Sequence, residues 1–408
     1  MIELARSEPG IAVLPKELDA DPWLLNATNG TINLRTAALR PHDPVDLITK
    51  CAGTHYDPAA QCPRFLAFLE RFLVHQELID YLQLVVGYIL TGMTAEQVFF
   101  LFHGKGSNGK SSLIEAIRAM LGDYVVHADI RTFLTRRGEG PRNDLARLAG
   151  ARLVTAVETA RGQRLDDGLM KQLTGGEPIT ARFLFAEEFE FHPAMKLLLA
   201  FNHKPEIKDH GPAMWRRVRL VPFTVEIPEA EQVKDFIGTT LKPELPGILA
   251  WAVRGCLAWQ KRGLPTPPAV ATATRQYREE SDDLASFLAE RCRMEPGLRV
   301  GATALFQAFR SWASESGIPA ISQKEFGTQL GERDGLIRVK SRAGIVWHGI
   351  TLVNDVNDCE GSPGVLTHAR AREEGVRRTV HNGAHGSHDG PEWEDRLERA
   401  GIQEEGAA

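Results

Sequence analysis

No stretch of this 408-residue chain approaches the roughly 20 consecutive apolar residues that a membrane-crossing helix requires. The opening segment, MIELARSEPGIAVLP, also lacks the apolar core of a secretory leader. No membrane role is therefore expected, and the setting expected is cytoplasmic. Cysteine is scarce and scattered, at positions 51, 62, 256, 292 and 359, with no C-x-x-C pair. That spacing argues against a zinc ribbon or a disulfide framework and fits a reducing compartment. Excess positive charge is missing too: 48 Lys and Arg stand against 53 Asp and Glu, a net charge of −5. Any nucleic-acid contact must then come from a local basic surface. The guanine-reading tetrapeptide N-K-x-D is absent, which argues against a switch GTPase. Before the phosphate motif described next, the only Asp-x-Asp motif is Asp19-x-Asp21, in what reads as a flexible arm. A two-metal polymerase site needs carboxylates fixed on a scaffold, so no primase activity is expected from this stretch.

What the chain does have is Gly104-Lys105-Gly106-Ser107-Asn108-Gly109-Lys110-Ser111, a full match to G-x-x-x-x-G-K-[ST]. The apolar run VFFLF (98–102) precedes it as a strand, and SSLIEAIRAML follows as an amphipathic helix. In that setting the backbone N–H groups of the loop and the helix N-terminus form an anion cradle. Lys110 would reach the β- and γ-phosphates of a nucleotide, and the Ser111 hydroxyl would hold Mg²⁺, with Ser112 beside it. The expected ligands are ATP and Mg²⁺.

The pattern around the loop alternates buried strands with helices. RLVTAV (152–157) and KLLLAF (196–201) are continuous apolar runs, as in strands covered on both faces, and predict a mostly parallel sheet flanked by helices. Upstream, WLLNATNGTINL reads as a hairpin turning at Asn29-Gly30, and Pro63 to Thr91 has helical spacing. Downstream, the Pro cluster in GLPTPPAVATAT marks a boundary. Three helices and a strand pair over 281–353 follow winged-helix order, with SQKEFGTQLGERDG in the recognition-helix position. The predicted organisation is a flexible arm (1–20), an N-terminal collar of hairpin and helices (21–94), an ATPase core (95–225), a helical extension and linker (226–280), the winged unit (281–353) and a disordered tail (354–408).

Further polar residues sit where a nucleotide-hydrolysing site needs them. Glu158 ends the strand RLVTAV, the position of a Walker B acid that holds Mg²⁺ or polarises the attacking water. Asn202 ends KLLLAF, placed to orient a water or the γ-phosphate. In MWRRVRLVPF, one of Arg216, Arg217 and Arg219 is a candidate to act on a neighbouring subunit's site. The segment 131–152 interleaves arginines with glycines and is a candidate contact for DNA or a neighbour.

Taken in order, GKGSNGKSS, LVTAVE, KQLTGGEPITAR, LLLAFNHKPEI and WRRVRLVPF resemble the superfamily 3 helicases, and among them the phage and plasmid primase–helicases related to the poxvirus primase–helicase. The resemblance spans most of residues 22 to 353 and corresponds to the helicase part without the primase domain. It implies an AAA+ core assembled as a homo-oligomeric ring, a hexamer, with ATP between subunits and single-stranded DNA in a central channel. It assigns Lys110 and Ser111 to phosphates and Mg²⁺, Glu158 to Walker B, Asn202 to the polar sensor and Arg217 to the arginine finger. The stretch from Ile179 to Pro193 matches the channel-facing DNA hairpin, with Arg182 as the leading contact and Lys171 upstream. This chain departs from the family at the hairpin tip, where FLFAEE replaces a Lys-His pair, so Phe183 or Phe185 would contact DNA by stacking. It departs again at Walker B, where Thr159 follows Glu158 in place of a second acid. The implied function is an ATP-dependent DNA helicase of phage or mobile-element replication in a bacterial cytoplasm, with primase or other replication proteins as separate partners. A nucleotide-gated initiator or loader that does not unwind processively, and a small-metabolite P-loop kinase, are the alternatives.

Overall fold

The computed structural model describes residues 12–136, 142–158, 160, 162–318, 321–341 and 344–353. The expected disordered tail, most of the expected arm and the tip of the 131–152 segment lie outside the described residues.

Near the N-terminus, β1 (Leu24–Ala27) and β2 (Gly30–Asn33) form the expected hairpin, but Gly30 pairs with Ala27 inside the ladder, so the turn is Thr28-Asn29. A third strand, β3 (Ala38–Arg40), joins β2. Two helices follow, α1 (Pro63–Leu73) and α2 (Gln76–Ile89). The apolar stripe of α1 (Phe65, Phe68, Leu69, Phe72) is buried, as its i, i+3, i+4, i+7 spacing requires.

The central sheet has five strands, all parallel. In chain order they are β4 (Phe99–His103), β5 (Val125–His127), β6 (Leu153–Glu158), β9 (Lys196–Phe201) and β10 (Val218–Pro222), arranged β10-β4-β9-β6-β5. The intervening β7 (Ile179–Arg182) and β8 (Glu188–Phe191) form a separate antiparallel hairpin. Helices α3 (Lys110–Leu121), α4 (Asn143–Ala146), α5 (Asp167–Gly175) and α6 (Pro212–Trp215) connect the strands. The three apolar runs expected as buried strands are all in this sheet, and every residue of β9 is buried.

The segment expected as a helical extension contributes to the main core. Helix α7 (Leu245–Arg262) lies directly on α2, and its Leu249, Ala252 and Cys256 share one buried cluster with the collar helices and one face of the sheet. The two helix backbones meet at glycines. A Cβ on Gly87 would stand 2.1 Å from the Cys256 nitrogen, and one on Gly255 2.1 Å from the Gln83 carbonyl oxygen. Only glycine permits that approach. Helix α8 (Pro268–Glu280) then runs along β10, with the Thr274 hydroxyl accepting from Leu220 N at 3.0 Å.

Beyond it, α9 (Asp283–Arg291), α10 (Ala302–Glu315) and α11 (Gln323–Gly331) precede the strand pair β13 (Ile337–Ser341) and β14 (Gly344–His348), in the expected order. Three further short strands complete this unit: β11 (Cys292–Arg293) pairs with β15 (Thr351–Leu352), and β12 (Arg299–Gly301) joins β14. Phe287, Phe309, Trp312, Phe326 and Trp347 form its own core. The compact unit ends at Val353. No helix among the described residues is long and apolar enough to cross a membrane.

Candidate functional site

The parallel register brings the predicted residues to one edge of the sheet. His103 at the end of β4 lies beside Phe201 of β9 and Pro222 of β10, and Phe201 lies beside Glu158 of β6. Gly104 and Asn202, one residue further along their strands, therefore emerge together with Glu158 at the carboxyl ends. Crevices at that edge are where ligands of open α/β sheets bind. Of Glu158 the structure describes only the place on its strand; Thr159 lies outside the described residues.

The loop from Gly104 to Gly109 bends through left-handed backbone at Gly106 (φ 129°), Ser107 (φ 43°) and Gly109 (φ 76°). At Gly109 a side chain has no room, because the Phe72 ring of α1 lies 3.0 Å from where a Cβ would stand. Lys110 opens α3 and is only 5% exposed. Its ammonium donates to the Gly104 carbonyl at 2.6 Å and to Asn108 Oδ1 at 2.8 Å. Burial with no carboxylate partner lowers its pKa to about 8. Half-buried His103 is likewise held below its usual value, by desolvation first and then by Lys204 and Lys110. Lys105 and Ser111 are exposed, and Ser112 is half-buried.

The loop is braced from the other side by the chain after β10. Phe223 N donates to the His103 carbonyl at 2.7 Å, and Ile227 N donates to the Ser107 carbonyl at 2.8 Å. Beside the loop this segment and α1 enclose a cavity of about 440 Å³, walled by Phe68, Phe72, Ile227, Gln232 and Phe236 with Ser112 at its inner side. The sequence reading missed this cavity. Phe68 and Phe72 have helical core spacing, and nothing local indicates that their outer faces line a recess assembled with residues some 160 positions away.

The hairpin of β7 and β8 lies where it was expected. Arg182 is half-buried opposite Glu188, and the tip is apolar and open: Phe183 is 45%, Leu184 65% and Phe185 99% exposed. Phe183 stacks on Phe189 of its own hairpin (ring centroids 5.6 Å, 17°), which leaves Phe185 as the projecting aromatic.

Several of the expected basic contacts have partners within the chain. Lys171, on α5, pairs through its ammonium with Asp209 Oδ2 at 2.8 Å. Three arginines of the 131–152 segment are similarly matched, Arg131 with Asp129, and Arg136 and Arg142 with Asp144. Arg217, assigned by resemblance to act on a neighbour, is turned into its own subunit and is 8% exposed. Its Nε donates to Thr174 Oγ1 at 3.1 Å and its Nη1 to the Ala213 carbonyl at 2.5 Å. A guanidinium so committed braces α5 against α6; the exposed arginine there is Arg216. Arg217→Ala is accordingly expected to lower stability by about 1–3 kcal/mol, read as a lower denaturation midpoint; an unchanged midpoint would contradict the bracing role.

Comparison with known proteins agrees with this arrangement. Residues 1–74 match the family model described as D5 N terminal like, and residues 102–217 match a family of unknown function (DUF5906). A protein of Acanthamoeba polyphaga mimivirus named as a putative helicase is 27% identical over 321 residues, covering 73% of this chain and 33% of the relative. One named likewise in Frog virus 3 is 31% identical over 242 residues, covering 55% and 25%. A protein of African swine fever virus named as a putative primase is 25% identical over 215 residues, covering 50% and 22%. The chain belongs to the phage and viral primase–helicase family. It spans between about a fifth and a third of the length of these relatives. Within this primase–helicase relative, the second family match begins at β4 and ends at Arg217, so it encloses the phosphate loop, Glu158, the hairpin and Asn202.

Proposed function

We propose that this chain is an ATP-dependent DNA helicase of superfamily 3 with an AAA+ core, translocating on single-stranded DNA that passes through a ring of identical subunits, a hexamer. The observation that carries the reading is the buried Lys110 ammonium, which lies inside a glycine loop and donates only to that loop's own oxygens. It stands at the sheet edge where Glu158 and Asn202 also emerge. Phosphate oxygens of ATP would replace Gly104 and Asn108 as its acceptors, and backbone N–H groups from Lys105 to Gly109 would cradle the rest. The cavity beside Ser112 would take the nucleoside.

Mg²⁺ fits the donors present. Among the described residues no cluster of three or more His, Cys, Asp or Glu could cage a metal. Mg²⁺, however, is commonly bound through one or two protein groups together with substrate phosphates and water. Ser111 and Glu158 would supply those groups, and the ion would neutralise developing phosphate charge. Asn202 would orient the attacking water. The winged-helix reading of 281–353 is part of the same proposal, as is association with separate primase or replication proteins.

ATP hydrolysis with and without single-stranded DNA, alongside strand displacement on a forked duplex, tests the reading. DNA-stimulated hydrolysis with unwinding supports it, hydrolysis indifferent to DNA sinks it, and stimulation without unwinding turns it into a loader. The acidic Glu187 and Glu188 at the hairpin make the aromatic tip the decisive contact. Phe185→Ala is expected to leave the denaturation midpoint unchanged and to weaken single-strand binding about tenfold, since stacking on one base is worth roughly 1–3 kcal/mol. Unchanged affinity would remove Phe185 from the DNA path.

A further inference from the structure

We propose a second phosphate-binding site, separate from the glycine loop, in the cavity between α6, β10 and α8. This cavity, of about 500 Å³, is lined by Arg216, Arg219, Arg275 and Arg278, with Trp215 and Thr274 in its wall. No acidic side chain lines it. Among the described residues none of the four arginines forms an ion pair, although every arginine of the 131–142 stretch that contacts a side chain has found a carboxylate. Four uncompensated guanidinium groups around one recess are unexpected in a chain of net charge −5.

Their existing contacts are to neutral oxygens. Arg216 donates to Gln97 Oε1 at 3.2 Å, Arg219 to the carbonyls of Arg216 and Val218 at 2.8 and 3.0 Å, and Arg278 to the His210 carbonyl at 2.9 Å. Each guanidinium carries five N–H donors, so most remain available. A second observation points the same way. The Trp215 side chain is only 5% exposed, and its indole N–H is buried without a partner. The site thus offers donors and positive charge and no charged acceptor. The ligand it fits is an anion with several acceptor oxygens, and planar guanidinium forks match the oxygen spacing of phosphate groups. A phosphate ester or oligophosphate meets that description.

The cavity is not an annex of the glycine loop. Val218, at the start of β10, pairs with Phe99 at the start of β4, whereas the loop follows the end of β4. Trp215, Arg216, Val218 and Arg219 of the cavity therefore lie at the start of β10, and the glycine loop lies beyond the far end of the paired strand β4. The proposal holds whatever the glycine loop binds.

Two sources share this chemistry: the phosphate chain of a nucleotide and the backbone of a nucleic acid. The test uses the full chain carrying Lys110→Ala, to suppress the glycine loop, with and without Arg275→Gln and Arg278→Gln. Both arginines are exposed on α8, so an unchanged circular dichroism spectrum and midpoint are expected and serve as the folding control. Inorganic triphosphate and a short single-stranded oligonucleotide are titrated separately by calorimetry. Loss of about tenfold or more in triphosphate affinity on the double substitution supports the site with a nucleotide source. The same loss confined to the oligonucleotide supports it with a nucleic-acid source. Arg275→Lys with Arg278→Lys is expected to recover part of the affinity, because charge returns without the fork. If neither probe distinguishes the double variant from its parent, the site does not exist.

Discussion

Replacing Lys110 by Ala is expected to lower ATP turnover on the order of 10³-fold, since one preorganised donor to transition-state charge is commonly worth 10²–10³, while leaving the fold at least as stable as before. The two halves of that outcome have one cause. Lys110 is 5% exposed and its ammonium has two neutral acceptors and no carboxylate. Burial disfavours its charged form, which is why its pKa falls to about 8. The folded chain thus maintains an unfavourable buried cation that a bound phosphate would relieve. Truncation removes the cation and the function together. An activity loss accompanied by a clearly lower midpoint would mean that the lysine is structural. The same residue sets a pH dependence for the wild type. Below about pH 8 the free site is already protonated, and affinity should be flat. Above it the free ammonium loses its proton while the phosphate-bound one keeps it, so affinity for ATP should fall by up to about tenfold per pH unit. Titrations at pH 7, 8 and 9 with one proton taken up on binding above pH 8 would agree; a flat affinity to pH 9 would not.

The readable parts of this site were those where one segment contains both the chemistry and its scaffold. Gly104 to Ser111 carries its own turn glycines, its own lysine and the flanking apolar strand, so both the loop and its position after β4 follow from local sequence. Glu158 and Asn202 were legible as strand ends, but their common edge depends on the strand order β10-β4-β9-β6-β5, which no single segment encodes. Arg217 shows the opposite case. Three arginines in four positions look alike as letters, and which one points inward is decided by Thr174 and Ala213, supplied by α5 and α6. Lys171 reads as a free cation until the fold brings Asp209 to it. That residues beyond 226 pack on the collar was hidden for a related reason. Gly87 and Gly255 are unremarkable glycines in two distant helices, and only their mutual contact makes α7 part of the collar's core.

The largest stability effect is expected at Arg152, where Arg152→Met should lower unfolding free energy by about 3–5 kcal/mol. Arg152 sits just before β6 and is 5% exposed. Its Nη1 donates to the Leu90 carbonyl at 2.5 Å, its Nη2 to the Leu24 carbonyl at 2.6 Å, and its plane lies 4.7 Å from the Tyr124 ring centroid. Leu90 follows α2 and Leu24 begins β1, so one guanidinium joins the hairpin, the helix end and the sheet. Lys196, on the adjacent strand β9, does the same for the carbonyls of Thr91 and Met93. Helix ends leave carbonyls without intrahelical partners, and here buried cations satisfy them and those just beyond. Methionine matches the bulk and removes the desolvated charge, yet it strands acceptors in a dry interior, and the second term is the larger. Arg152→Lys keeps a charge but as a single point that cannot span Leu24 and Leu90, so an intermediate loss is expected. Urea denaturation with an unchanged slope and a shifted midpoint would report it; a Met variant within about 0.5 kcal/mol of wild type, the range of ordinary surface substitutions, would show that the collar is held by its apolar contacts alone. The consequence reaches the nucleotide. The collar helix α1 presses Phe72 against Gly109 and forms one wall of the cavity beside the loop. Loosening Arg152 should therefore weaken ATP binding without touching a single residue of the phosphate loop.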